Sequence, residues 1–373
     1  MVVRNNSPEL VNSEPRSAAG RWSLEQSAQW YKNQPWLVGS NFTPSNAINQ
    51  LEMWQKETFD LQRIALELSW TQALGMNTMR VFLHDLVWFQ DSAGFKSRID
   101  QFLTVTDKYG IKPVFVLFDS CWNPNPHLGQ QPDPVPGVHN SGWVQSPGAD
   151  GLTDQNQYVR LANYVKGVVG AFAHDARVLM WDVWNEPDNT NDASYGAQEP
   201  VDKVALVQNL LPQVFQWARS ASPVQPLTSD IWIGDWSSFW TLNSMQQMQL
   251  ENSDVITFHN YGLPNDFQQR VTWLSQYARP LICTEYMARP MGSTFDPIME
   301  IAKRNNVGII NWGFVAGKTQ TYYPWDSWEH PYVQPYTGVW FHDVLNPDGT
   351  AYREEETNYI KQMTCPSSLE VRS

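Results

Sequence analysis

From about residue 36 onward, short apolar or β-branched runs alternate with stretches whose apolar residues recur at helical spacing. That alternation is the mark of βαβ units, which build parallel sheets. Eight runs read as strands, at 37–41, 78–83, 112–118, 178–185, 226–231, 255–259, 280–285 and 308–314. Between them, Leu61, Ile64, Ala65 and Leu68 fall at i, i+3, i+4 and i+7, and Gly75 is placed to stop that helix. Tyr158, Leu161, Ala162 and Val165 repeat the spacing, and Val204, Val207 and Leu211 follow it more loosely. Eight such units point to a closed (β/α)8 barrel, the TIM-barrel form of the α/β class, rather than an open sheet. A chain of 373 residues, 42% hydrophobic and 17% charged, supplies the core such a barrel needs. The expected division is an N-terminal extension over 1–35 packing on the barrel, the barrel itself over 36–360, and a C-terminal tail over 361–373.

Two connections are too long to be turns. Residues 119–155 carry Pro124, Pro126, Pro132, Pro134, Pro136 and Pro147, and residues 315–349 carry three tryptophans and four tyrosines. Both follow a strand, so both are expected on the C-terminal face, where barrel enzymes place their sites. The prolines make an ordered wall the expectation there, not a loose lid. Nineteen tryptophans exceed what a core of this size needs, because each buried indole N–H wants an acceptor. Sugar rings present C–H faces that pack on indole, so carbohydrate is the expected ligand, with Trp122, Trp143, Trp236 and Trp325 as contacts.

Net charge excludes another partner. At −13 the chain lacks the basic face that a phosphate backbone requires, so no nucleic acid is expected. No run of 18 apolar residues indicates a membrane span. Cys121, Cys283 and Cys365 have neither disulfide parity nor zinc-ligand spacing. His84-Asp85 and His259 lack metal-ligand spacing too, so no metal or other cofactor is expected. The N-terminal segment MVVRNNSPEL has no signal-peptide core. A secreted or periplasmic protein whose signal peptide is absent from this sequence is the expectation.

The chemistry is concentrated in two strand ends. Trp181-Asp182-Val183-Trp184-Asn185-Glu186-Pro187 closes the fourth strand, and Cys283-Thr284-Glu285-Tyr286 closes the seventh. Two carboxylates would then face one another across the barrel mouth, as general acid–base chemistry needs. Asp182 is expected as a buried support for the mouth. His127 and His139 are expected to be solvated, and Lys318 and Asp326 either to meet substrate or to pair within their loop.

On these residues the chain, from about 36 to 350, resembles clan A of the glycoside hydrolases, and most closely family 5, the cellulase-type family. The resemblance implies that Arg80, in Met79-Arg80-Val81-Phe82, supports the nucleophile. It implies that His259 and Tyr261 are the His-x-Tyr pair, that Trp312 is the platform beneath the cleaved sugar, and that Asn185 binds the substrate 2-hydroxyl. It further implies a retaining double displacement, with Glu285 as nucleophile and Glu186 as general acid/base. Retention expects carboxyl groups roughly 5–5.5 Å apart, against roughly 6.5–9.5 Å for inversion. The chain departs from the family at Phe82-Leu83-His84-Asp85 and over residues 315–321, both near the site, which leaves the substrate open. The leading reading is an endo-acting hydrolase of β-linked chains of the β-1,4-glucan or mannan type. The alternatives are an exo-acting glycosidase on short chains, including an arabinofuranosidase, and a barrel that binds carbohydrate without cleaving it.

Overall fold

The computed structural model describes residues 18–365; residues 1–17 and 366–373, parts of the expected extension and tail, lie outside it. All eight expected strands form: β1 Val38–Asn41, β2 Thr78–Phe82, β3 Lys112–Val116, β4 Met180–Asp182, β5 Leu227–Thr228, β6 Ile256–His259, β7 Leu281–Glu285 and β8 Gly308–Asn311. They pair in parallel in the order β5-β4-β3-β2-β1-β8-β7-β6. A parallel bridge from Ile231 to Phe258 joins the two ends and closes the (β/α)8 barrel.

Alternation along the strands sorts side chains into two layers. Phe115, Trp181, Cys283 and Ile309 pack outward with the helices, while Val114, Met180, Ile282 and Ile310 form a separate buried cluster with Leu37, Leu179 and Val255. The outer layer receives the helix faces read from the sequence. Ile64 and Leu68 of the helix Leu61–Ala73 are buried, as are Leu161 and Val165 of Tyr158–Ala171 and Val207 and Leu211 of Lys203–Ser220. Gly75 follows the first of these at φ +70°, where any side chain would also strike Thr364.

The small cluster is capped from below by the helix Leu24–Lys32, whose Tyr31 belongs to it and whose Trp30 packs against it. Tyr31 donates its hydroxyl to Asn306 O at 3.0 Å, and Trp36 donates its indole N–H to Val307 O at 2.8 Å. At the other end of the chain, the helix Glu354–Thr364 runs straight through the boundary expected at residue 360.

Higher in the barrel the buried side chains turn polar, with Arg80 on β2, Asp182 on β4 and Thr284 on β7 all fully buried. The strand-four run stops at Asp182 as regular structure, but the backbone stays paired beyond it. Asn185 N donates to Phe118 O at 2.8 Å, and Asp119 bridges both Asn185 and Ser146.

The two long loops are ordered and are stitched to each other. Asn140 N donates to Thr319 O at 2.8 Å, Tyr332 N to Gly137 O at 3.0 Å, and His139 N to Ser327 Oγ at 2.9 Å. Gln320 donates its amide to both Val135 O and Val138 O, and Trp122 stacks on Trp328 at 5.6 Å and 13°. His84 and Asp85 serve this architecture. His84 Nε2 lies 3.0 Å from Gln145 O, and Asp85 accepts from Ser146 Oγ and pairs with Arg160 at 2.6 Å. The departure from the family pattern at the end of β2 therefore anchors a loop.

Candidate active site

Arg80 is the hub. Its Nε and Nη2 donate to Asp182 Oδ2 at 3.0 and 2.7 Å, and its Nη1 donates to Glu285 Oε1 at 2.8 Å and to Asn41 Oδ1 at 3.1 Å. Nη2 also reaches Asn185 Oδ1 at 2.7 Å and Asp230 Oδ1 at 3.1 Å. A planar fork with five N–H groups is the side chain that can hold four strands' worth of acceptors in register. Asp182 has the supporting part expected of it.

The two glutamates meet across this hub. One carboxylate oxygen of Glu186 and one of Glu285 lie within 4.8 Å of each other and of a ring nitrogen of His259. A close approach of this kind fits the retaining separation of roughly 5–5.5 Å better than the inverting one of roughly 6.5–9.5 Å. Glu285 Oε2 accepts from Tyr261 OH at 2.8 Å, so its two oxygens are held by a guanidinium and a phenol. Among the described residues, no cation is in contact with Glu186. Its Oε2 accepts from Asn189 Nδ2 at 2.7 Å and from the Cys121 thiol at 3.3 Å, and its Oε1 lies 2.8 Å from His259 Nδ1. Glu186 also sits at φ +42°, a left-handed conformation that costs a non-glycine residue roughly 1–3 kcal/mol. The Asp230 carboxylate, accepting from Glu186 N at 3.2 Å, and Asn189 N, donating to Glu186 O at 2.9 Å, hold it there.

Burial pushes both carboxyl groups above the ordinary range. On Glu285 the push is opposed by the Arg80 guanidinium and the Tyr261 hydroxyl, while on Glu186 the groups in contact that oppose it are the uncharged Asn189 and Cys121. A single negative charge is therefore held better on Glu285, and the proton stays on Glu186. Burial also holds the His259 imidazole neutral by lowering it to about 4. By distance alone the trio of Glu186, His259 and Glu285 could take a cation. Arg80 already places its positive charge against Glu285, so the donor set fits proton chemistry better than a metal.

A cavity of about 310 Å³ opens directly over the pair. Its lining includes Trp122, Trp143, Asn185, Tyr261, Trp312 and Trp325, so of the site residues expected from the sequence these come to this place, with Arg80 and His259 beneath it. Trp312 stands edge-on to Phe82 at 5.8 Å and to Trp143 at 6.0 Å, which fixes the plane of its indole. Trp325 packs edge-on to Tyr261 at 5.1 Å. Asn185 gives one amide N–H to Asp119 at 2.9 Å, while its Nδ2 makes only a long contact to Cys121 Sγ at 3.7 Å, so its second N–H is open to a ligand.

Four expectations need correction or sharpening. Trp236 is not a sugar contact: it is fully buried against Phe258 under the Arg270 guanidinium, because the chain after β5 folds back over the barrel side. His139 is buried, not solvated, with Nδ1 2.8 Å from Tyr323 O and its ring against Trp122 and His342, whereas His127 is exposed as expected. Lys318 pairs with Glu52 at 2.6 Å and Asp326 accepts from Tyr332 OH at 2.9 Å, so both serve the loop framework. Sequence reasoning missed Cys121, Asn189, Asp230 and the cavity-lining Trp232. Asn189 and Trp232 lie on turns after β4 and β5, and position just beyond a strand's C-terminal end was the available signal.

The sequence matches no protein-family model and no curated protein. Solved structures do match it. GH5_18 from Streptomyces cattleya, in complex with GlcNAc, superposes with TM-score 0.58 at 15% identity, covering 88% of this chain and 79% of that one. The endo-beta-1,4-mannanase from Thermotoga petrophila gives 0.54 at 13%, covering 90% and 77%. The exo-beta-1,4-mannosidase Op5Man5 from Opitutaceae bacterium strain TAV5 gives 0.56 at 17%, covering 95% and 61%. At such identities the likeness establishes the fold: this is a (β/α)8 barrel of the shape these enzymes share.

Proposed function

We propose that this protein is a retaining β-glycoside hydrolase of the family 5 type, acting on β-linked mannose- or glucose-containing chains. The observation that carries the reading is the unequal pair: two carboxyl groups within 4.8 Å, one bonded to Arg80 and Tyr261 and the other bonded to no cation. Glu285 attacks the anomeric carbon as the bond to the leaving oxygen breaks, and Glu186 gives that oxygen its proton. A covalent glycosyl ester on Glu285 results. Glu186, now ionised, takes a proton from water, whose oxygen displaces Glu285 and restores both groups. Two inversions give net retention.

The mannan preference is supported by the matching structures, which include an endo-mannanase and an exo-mannosidase by name. Asn185, Asn189, Asn191, Asp192 and Ser194 give the cavity polar groups for sugar hydroxyls. The stitched loops wall one flank of the cavity, which favours exo action on short chains beside the endo reading. Glu186→Ala and Glu285→Ala should each abolish hydrolysis of β-1,4-mannohexaose while circular dichroism stays unchanged. Near-native turnover by either variant would sink the assignment. Early products of the unmodified enzyme separate the two modes: fragments from internal cuts for endo action, mannose and mannopentaose for exo action.

A further inference from the structure

The mechanism above gives Asp230 no part, yet this residue touches three members of the site. It stands two residues beyond β5, fully buried. Its Oδ1 lies 3.1 Å from Arg80 Nη2, and its Oδ2 lies 3.2 Å from Glu186 N and 3.3 Å from His259 Nε2. Its backbone carbonyl accepts from the Gln249 amide, which fixes the turn.

Charge counting shows that this cluster cannot be fully ionised. Among the described residues Arg80 is the one cation in contact, and around it stand Asp182, Asp230, Glu285 and, one contact further, Glu186. His259 completes the set from β6 and is neutral. Four carboxylates against one guanidinium, all out of water, must retain protons. Among the carboxylates the guanidinium makes its shortest bonds to Asp182 and Glu285, at 2.7 and 2.8 Å, and its contact with Asp230, at 3.1 Å, is longer. The groups left without a strong cation contact are Glu186 and Asp230. His259 Nε2 is buried and has no hydrogen bond of good geometry, with Asp230 Oδ2 beside it.

Resting on the glycosidase reading for its catalytic consequence, we propose that Asp230 is a positioning residue that keeps its carboxyl proton at neutral pH, directs it from Oδ2 to His259 Nε2, and so fixes the histidine tautomer whose Nδ1–H faces Glu186. Burial first, and then the nearby Asp182 charge, push the Asp230 carboxyl well above the carboxylate range, against the opposing pull of Arg80. The consequence falls on the first half of the reaction. As Glu186 gives up its proton, its Oε1 becomes anionic 2.8 Å from Nδ1. With Nδ1 protonated that contact stabilises the new carboxylate; in the other tautomer a lone pair would face it.

Two measurements test this. In ¹⁵N-histidine-labelled protein at pH 7, His259, assigned by comparison with His259→Gln, should show Nδ1 protonated and Nε2 bare. A protonated Nε2 in the unmodified protein would overturn the proposal, whether or not the protein hydrolyses any glycoside. Asp230→Asn keeps a neutral group able to donate to Nε2 and accept from Arg80, although its amide nitrogen no longer accepts from Glu186 N, so it should keep the Nδ1–H tautomer while its kcat on a β-mannoside falls. Asp230→Ala should lose roughly 10²-fold in kcat, with KM little changed, and should let Nε2 take up the proton. An Asp230→Asn variant that folds but carries the proton on Nε2 would mean that donation from this position does not set the tautomer, and the proposal would fail. If Asp230→Ala does not fold, the spectra of the unmodified protein and of Asp230→Asn still decide. Loss of all glycosidase activity in the unmodified protein would instead strike the functional reading and leave the tautomer measurement standing.

Discussion

Nδ1 of His259 lies 2.8 Å from Oε1 of Glu186 and 3.5 Å from Oε2 of Glu285, so a single imidazole edge touches both members of the carboxyl pair. With the ring neutral, the proton balance of the pair is set by what else each carboxyl group touches. On the Glu186 side that is chiefly Asn189, whose amide donates at 2.7 Å and pulls the carboxyl back towards the ordinary range. Activity requires Glu186 protonated, so it should fall as pH rises through the Glu186 pKa. Removing the amide raises that pKa. Asn189→Ala should therefore move the basic limb of kcat/KM to higher pH while leaving the acid limb, set by Glu285, in place. A basic limb that stays put or moves down would remove Glu186 from the acid role.

Arg80→Lys keeps a charge and loses the fork. An ammonium cannot bond Asp182, Glu285 and Asn185 together, so the nucleophile loses its fixed orientation. The expected loss in kcat is on the order of 10²–10³-fold, the scale of removing one preorganised electrostatic partner. Steady-state kinetics on an activated β-glycoside check this, and a variant within a few-fold of native would show that charge alone suffices.

The aromatic walls should separate by substrate length. Trp122 and Trp325 belong to the two loops and line the cavity's flank, whereas Trp312 stands beside the carboxyl pair on the strand end. Replacing Trp122 or Trp325 with Ala should weaken a long oligosaccharide by about 0.5–1.5 kcal/mol beyond burial and affect a small aryl glycoside less. Trp312→Ala should harm both alike. Equal effects of all three on both substrates would contradict the assignment of separate subsites.

His139 tests the loop framework through pH. Burial lowers its pKa from 6.5 to about 4, so the unfolded chain takes up this proton at a higher pH than the folded one. Its contribution to stability is then fully present above 6.5 and is lost as pH falls towards 4. Asp119 and Asp343, raised by burial to about 6 and about 7, act in the opposite sense, losing their contribution as pH rises through those values, so the bare pH profile mixes the two. The difference between the unmodified protein and His139→Gln isolates the histidine. That difference in unfolding free energy, measured in urea at pH 7 and pH 5, should shift in the variant's favour at pH 5. No change would mean that His139 is not buried neutral between the loops.

The barrel was legible because its information is local. Short apolar strand runs and helical faces such as Ile64/Leu68 are written in neighbouring residues, and Glu186 and Glu285 stand where strands end. What escaped depends on contacts between distant residues. His139 is buried by Tyr323 and Ser327, and Gln320 holds Val138 across 182 positions of sequence, so neither could be read from the surrounding composition. Trp236 looked like a loop aromatic because nothing nearby announces that Phe258 and Arg270 enclose it. Asp230 lies inside the run 226–231, which reads as a strand with nothing to mark this carboxyl group, and only the assembled barrel brings it to Arg80 and His259.

The central claim is that Glu285 forms a covalent bond to the sugar while Glu186 handles the proton. The most direct test is peptide mass mapping of the enzyme after reaction with a 2-deoxy-2-fluoro-β-mannosyl or β-glucosyl fluoride, which slows breakdown of the glycosyl ester more than its formation. The account predicts one fluoroglycosyl group per chain, on the peptide containing Cys283-Thr284-Glu285-Tyr286, with activity lost in proportion to labelling. A label on Glu186 or on another residue would contradict it, as would an unlabelled enzyme that turns over the parent β-glycoside with inversion at the anomeric carbon.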